Sequence, residues 1–206
     1  MSNLVFFTHP QSRGRIVHWM MEELGEPYET VWLDFSTSMK APEYLAVNPM
    51  GKVPALQHGA TVVTEAAAIC AYLADHFGAK QLIPPVGSPL RAAFYRWMFF
   101  AAGPLEAAVT AKAMGWIVPD DRRRMVGFGS DEDVLHALEF ALSPGPYICG
   151  EQFTAADVYV GSQIGWGLMF GSLEKRPLFE QYVARLNARP AALRANELNE
   201  TRLKTP

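Results

Sequence analysis

Apolar runs of strand length crowd the chain up to Thr64, and helical spacing dominates after them. Leu4-Val5-Phe6-Phe7-Thr8 is a short apolar run closed by His9-Pro10, as a buried strand would be. From Ser12 the apolar residues Ile16, Val17, Met20 and Leu24 recur on one helical face, and Gly25 and Pro27 supply stop signals. Residues 28–33 are rich in aromatic and β-branched types and read as a second strand. A strand, helix, strand unit of this length predicts a right-handed parallel crossover. Residues 34–52 read as loop with one helical turn around 43–47, ending in the turn chemistry of Asn48-Pro49-Met50-Gly51. Residues 53–57 and 61–64 flank His58-Gly59-Ala60 as a three-residue hairpin. Helical spacing then fills 65–77 and stops at Gly78.

This β-α-β, loop, β-β-α order matches a thioredoxin-like domain over residues 1–80. Pro84-Pro85, Gly87 and Pro89 make 81–89 a linker. Beyond it the pattern predicts helices over 90–114, 131–142, 155–170, 177–187 and 191–198, with no strand among them. The expected fold is therefore α/β plus all-α, with an all-helical domain over 90–206. Phe153 followed by Thr154-Ala155-Ala156-Asp157 reads as a helix-opening capping box with a hydrophobic staple, Asp standing in for the commoner Glu or Gln.

Composition narrows the function class. Charged residues make up 19% and hydrophobic residues 50% of the chain, as in a folded protein, and the net charge of −3 lacks the footprint of a nucleic-acid binder. The most apolar stretch, 97–118, is broken by Gly103-Pro104 and carries Glu106 and Lys112, so it reads as buried helix and no membrane association is expected. The first residues carry no secretory pattern, and the two cysteines, Cys70 and Cys149, form no CxxC and no Cys/His group. A reducing cytoplasm and no metal are expected. Dithiol chemistry at the first helix is excluded for want of a cysteine there. Arg122-Arg123-Arg124 beside Asp120-Asp121 reads as a solvated, charge-paired face.

Four stretches, in this order and at these distances, resemble the cytosolic glutathione S-transferases of bacterial type over almost the whole chain. They are Pro10-Gln11-Ser12-Arg13-Gly14-Arg15 leading to Glu22-Glu23-Leu24-Gly25, Asn48-Pro49-Met50-Gly51-Lys52-Val53-Pro54-Ala55-Leu56, Thr64-Glu65-Ala66-Ala67-Ala68-Ile69, and the capping stretch at Thr154. The resemblance implies a cis Val53-Pro54 bond whose flanking backbone pairs with the cysteinyl part of glutathione, as an added strand would. On its own the same dipeptide suits a proline that opens a strand. At Glu65 and Ala66 the resemblance implies capture of the γ-glutamyl group, its carboxylate on free helix N–H groups and its ammonium on Glu65. Glu65 also suits plain complementation of the helix dipole. The family usually has Ser or Thr where this chain has Ala66, so only a backbone contact survives there. Lys40 and Lys52 occupy the loop whose counterparts in relatives face the glycyl carboxylate.

The implied activity is a glutathione transferase in which the thiolate of glutathione, as co-substrate, attacks a small hydrophobic electrophile. Peroxidase or isomerase chemistry would use the same thiolate, and a non-catalytic or regulatory protein on this fold is the other class. A free thiol of pKa ~8.5 is only about 3% ionised at pH 7, and lowering it by two units corresponds to ~2.7 kcal/mol. One hydrogen bond to the charged sulfur supplies roughly 1.5–3 kcal/mol, so a single hydroxyl suffices. Ser12 is the first choice for that donor, with Thr8 or a backbone N–H near Gln11 as alternatives. His9, Trp116 and Trp166 are the expected lining of the second-substrate pocket. A homodimer is implied by the resemblance alone.

Overall fold

Leu4, Phe6 and Thr8 are buried, and Val5 and Phe7 half-buried, in the computed structural model of this chain, which describes residues 3–204. That alternation makes Leu4–Thr8 the strand β1, and both of its faces are covered. It pairs in parallel with β2 (Glu29–Trp32) and antiparallel with β3 (Ala55–His58), which turns into the antiparallel β4 (Thr61–Thr64). The sheet order is β2-β1-β3-β4. His58 pairs with Thr61, so the hairpin loop has two residues, Gly59-Ala60, where the sequence predicts three.

The helices α1 (Gly14–Leu24) and α3 (Ala66–His76) pack together on one face of the sheet. His18 of α1 meets the Phe6 ring edge-on at 5.5 Å. The other face carries a smaller cluster of Leu33, Met39, Tyr44 and Ala55, with Phe7 and Val53 against it. Tyr44 comes from the short helix α2 (Pro42–Leu45) and touches Phe7 at 5.5 Å between ring centroids. The segment between β2 and β3, read from sequence as loop, is therefore pinned by apolar side chains.

Gly14 opens α1 where no side chain fits. A Cβ there would stand 1.9 Å from the Thr8 hydroxyl oxygen. This contact lets the helix start press directly on the end of β1.

The chain forms two compact units, one taking in the chain through Lys80 and again from Ala188, the other Gln81–Asn187. The expected helical domain over 90–206 thus differs from the structure at its end. The last helix, α9 (Pro190–Lys204), packs on α1 and extends past the predicted 191–198. Its small residues Ala191, Ala192 and Ala195 are buried, and its polar rim is charge-matched to α1. Arg189 makes two bonds to Glu23 at 2.6 and 2.8 Å, Arg15 meets Glu200 at 2.8 Å, and Arg194 pairs with Glu22.

Within the second unit the expected single helix over 90–114 is divided. α4 (Pro89–Phe100) passes through a wider turn at Ala101–Leu105 into α5 (Glu106–Ala113), because Pro104 lacks the N–H that regular bonding would use. The helices α6 (Asp131–Leu142), α7 (Ala155–Phe170) and α8 (Pro177–Asn187) match the expected bounds. α7 is apolar all round and mostly buried, as the centre of a helical unit requires.

The capping box forms as expected. Asp157 accepts from the Thr154 N–H at 2.8 Å, while the Thr154 hydroxyl accepts from the Ala156 N–H at 3.3 Å. Its other oxygen accepts from the Ile148 N–H at 2.7 Å and the Tyr182 hydroxyl at 2.9 Å, tying α7 to α8 and to the loop before it. A second box, Ser130 with Asp133, opens α6. The Asp-Arg run forms a short 3-10 turn with exposed pairs, Arg123 to Asp120 at 2.8 Å and Arg122 to Asp121 at 3.5 Å.

Candidate functional site

The strand register gathers the site. Phe7 pairs with Ala55, and Ala55 with Thr64. The residues just beyond those pairs are therefore neighbours at one end of the sheet: Thr8 leading to Ser12, the Val53-Pro54 dipeptide, and Glu65-Ala66. α1 and α3 both begin at that end. Two helix N-termini with their outward N–H groups add a positive bias to it.

Val53-Pro54 is cis. The loop that leads to it is fixed from below. Lys40 Nζ donates to the Met50 and Gly51 carbonyls at 3.2 and 2.8 Å, and the buried Tyr44 hydroxyl donates to the Lys52 carbonyl at 2.6 Å. The buried Asn48 side chain donates to the same carbonyl at 2.8 Å and accepts from the Met50 N–H at 3.1 Å. Gly51 takes a φ of 57°, and a Cβ there would come within 2.7 Å of the Met39 carbonyl oxygen. Burial pushes the Tyr44 hydroxyl up to about 12, so it stays a donor throughout the neutral range. The sequence signal that could have found Asn48 is its place at the head of a Pro-Met-Gly turn; Tyr44 carries no such signal.

Glu65 caps α3 with a φ of 68°, a left-handed conformation that costs a non-glycine residue of order 1–3 kcal/mol. Its side chain is exposed and makes no capping bond. The first helical bond of α3 runs from the Ile69 N–H to the Glu65 carbonyl at 2.9 Å. The N–H groups of Ala66, Ala67 and Ala68 consequently have no intrahelical acceptor.

At the start of α1 the Ser12 hydroxyl is engaged on both sides. It donates to the His9 carbonyl at 2.7 Å and accepts from the Gly14 N–H at 3.0 Å. The Thr8 hydroxyl lies fully buried beneath Gly14 and has no partner among the described residues. The His9 ring lies 4.1 Å from that of Phe35, tilted by 47°, and its Nδ1 accepts from the Gln11 N–H at 3.1 Å. The neutral ring therefore carries its proton on Nε2. Burial lowers its pKa, with Asp34 opposing and Arg202 assisting.

Of the residues expected from sequence, Ser12, His9, Val53, Pro54, Glu65 and Ala66 gather at this end of the sheet, with Lys40 and Lys52 on the adjoining loop. Trp116 and Trp166 belong to the second unit, where Trp116 is exposed and Trp166 half-buried. Among the described residues, no group of three or more His, Cys, Asp or Glu side chains could hold a metal ion, and no helix is long and apolar enough to cross a membrane.

Two family profiles match the sequence: Glutathione S-transferase, N-terminal domain, over residues 12–76, and Glutathione S-transferase, C-terminal domain, over residues 119–190. The chain belongs to the glutathione S-transferase family. Glutathione S-transferase GstA of Escherichia coli O157:H7 is 31% identical over 163 residues, covering 78% of this chain and 80% of that protein. Among solved structures, a glutathione transferase from Methylococcus capsulatus superposes with a TM-score of 0.79 at 25% identity, covering 96% of this chain and 99% of the other. A Sulfitobacter homologue with bound glutathione gives 0.75 at 26% identity, covering 96% and 99%.

Proposed function

We propose that this glutathione S-transferase binds glutathione across the Val53-Pro54 dipeptide and the start of α3, and conjugates it through its sulfur to small hydrophobic electrophiles. The observation that carries the reading is the convergence, at one end of the sheet, of the Val53-Pro54 turn, a helix start opened by left-handed Glu65, and a second helix start at Gly14. Val53 offers an N–H and a carbonyl to the cysteinyl backbone. Ala66 and Ala67 offer N–H groups to the γ-glutamyl carboxylate, Glu65 an acceptor to its ammonium, and Lys40 and Lys52 positive charge to the glycyl carboxylate.

The thiol must then lose its proton. Ser12 can donate to the thiolate once its O–H swings off the His9 carbonyl, while the Gly14 N–H keeps its oxygen oriented. The α1 N-terminus adds a smaller stabilisation of the charge. The thiolate forms a C–S bond to the electrophilic carbon, whose leaving group departs with the bonding electrons. His9 is the proposed contact for that substrate on the first unit. The setting we propose is cytoplasmic, and the working form a homodimer.

The test combines calorimetric titration with reduced glutathione and the ultraviolet absorbance of the thiolate. Wild type should bind in the millimolar range or tighter with a rise in thiolate absorbance, and Ser12→Ala should bind with that rise reduced. Absence of binding at millimolar glutathione would overturn the reading. A second reading, a glutathione-binding protein without catalysis, draws on the double engagement of the Ser12 hydroxyl and on Ala66, which lacks a hydroxyl. Binding with no thiolate signal in wild type would favour it.

A further inference from the structure

Three successive carbonyls, those of Met50, Gly51 and Lys52, are held by side chains of the preceding segment, and the last of them is held twice. Tyr44 and Asn48 both donate to the Lys52 oxygen, at 2.6 and 2.8 Å, and both are 4% exposed. That oxygen is therefore drawn toward the interior of the unit. The Lys52-Val53 peptide is trans. In a planar trans peptide the C=O and N–H point in opposite directions. Pulling the Lys52 oxygen inward necessarily turns the Val53 N–H outward, to the side where the proposed clamp for the cysteinyl backbone lies.

We propose that Tyr44 and Asn48 are positioning residues for glutathione, which fix the plane of the Lys52-Val53 peptide and so aim the Val53 N–H at the ligand. The inference rests on the glutathione-binding reading above. Neither residue touches the ligand. They lower the cost of binding by keeping one peptide from rotating, a cost that a flexible loop would otherwise meet at each binding event. Asn48 adds a second constraint, because its side-chain oxygen accepts from the Met50 N–H and closes the turn that delivers Lys52. Val53 itself packs against the Tyr44 cluster, so ring and hydroxyl act on the same peptide from one side.

The experiment compares wild type, Tyr44→Phe and Asn48→Asp. Phe keeps the ring in its cluster and removes only the donor. Asp keeps an acceptor for the Met50 N–H and sets a carboxylate against the Lys52 carbonyl. Tyr182→Phe, which removes a buried hydroxyl in the other unit, is the control for stability alone. Glutathione affinity is read by calorimetry, and turnover by conjugation to chlorodinitrobenzene. Tyr44→Phe should weaken glutathione binding by about five-fold, as loss of one neutral hydrogen bond implies. Its KM for glutathione should rise in proportion while kcat at saturating glutathione holds. Tyr182→Phe should lower the melting temperature and leave KM alone. Binding by both loop variants within about two-fold of wild type would overturn the inference, as would a fall in kcat at unchanged KM. Failure of wild type to bind glutathione would instead remove the reading on which it rests.

Discussion

Asp157→Asn is the substitution whose effect the structure determines most fully. The carboxyl is fully buried and takes four hydrogen bonds, from the Ile148 N–H, the Tyr182 hydroxyl, and the Thr154 N–H and hydroxyl. Asparagine keeps one acceptor oxygen, enough for Ile148 and Tyr182, and turns its amide nitrogen toward two donors at Thr154. One buried backbone N–H is left unpaired, at about 1–3 kcal/mol, and the helix cap is lost with it. For a chain of this size, 2 kcal/mol corresponds to a fall of roughly 4–8 °C in Tm. The pH dependence gives a second readout. Burial outweighs the hydrogen bonds and raises the Asp157 pKa to about 6 from its model-compound value of 3.8. A carboxyl raised in the fold stabilises it most below the unfolded pKa, and that contribution fades as pH rises through about 6. Wild type should therefore gain about 1.4 kcal/mol over the asparagine variant on going from pH 7 to pH 5. Thermal melts at pH 7 measure the first effect, and urea denaturation at several pH values the second. A variant within 1 °C of wild type at pH 7, or a gap between them that narrows on acidification, would refute the reasoning.

Gly14→Ala should destabilise by about 1–3 kcal/mol despite alanine's better helix propensity, because its methyl collides with Thr8; Thr8→Ala in the same chain should recover part of the loss in denaturant melts. Arg189→Ala removes both bonds to Glu23, a side chain only 7% exposed, and should cost about 1–3 kcal/mol of stability; recovery by Glu23→Gln in the double variant would show that the stranded charge is responsible. His18 has its pKa lowered, first by burial among Phe6, Tyr28 and Trp32, so its contribution is complete above pH 6.5 and is lost as pH falls through the folded value. An NMR titration should find its midpoint below pH 6.5, and a midpoint at or above that value would contradict the burial argument.

Most strands and long helices were legible because each has a single period and clear punctuation. The bounds of α6, α7 and α8 follow from capping residues and stop signals that act within a few positions. The division of α4 from α5 was less visible, since helical spacing continues across Gly103-Pro104 and only the missing N–H breaks the ladder. Around the site, the roles of Val53-Pro54 and of the start of α3 were legible only through the family resemblance, since on their own the residues suit a strand-opening proline and a helix-dipole complement. Tyr44 was not legible, and Asn48 only as the head of its turn. Their role depends on which carbonyl they reach, and reach across a folded loop leaves no periodic trace. Ser12 was legible as a helix-start hydroxyl, but its bond to the His9 carbonyl is a product of the turn's shape.

The return of the chain to its first unit bears on synthesis. α9 covers α1 with buried alanines and ion pairs, yet it is made after α2 through α8. A nascent chain that has emerged only through Lys80 presents the sheet and α1 with that flank bare. It must wait for all of Gln81–Asn187 to be translated before the covering piece arrives. The second unit is continuous in sequence and can complete itself in the meantime. A stop codon before Pro190 would thus leave the first unit unfinished, although every residue proposed to touch glutathione had already been made.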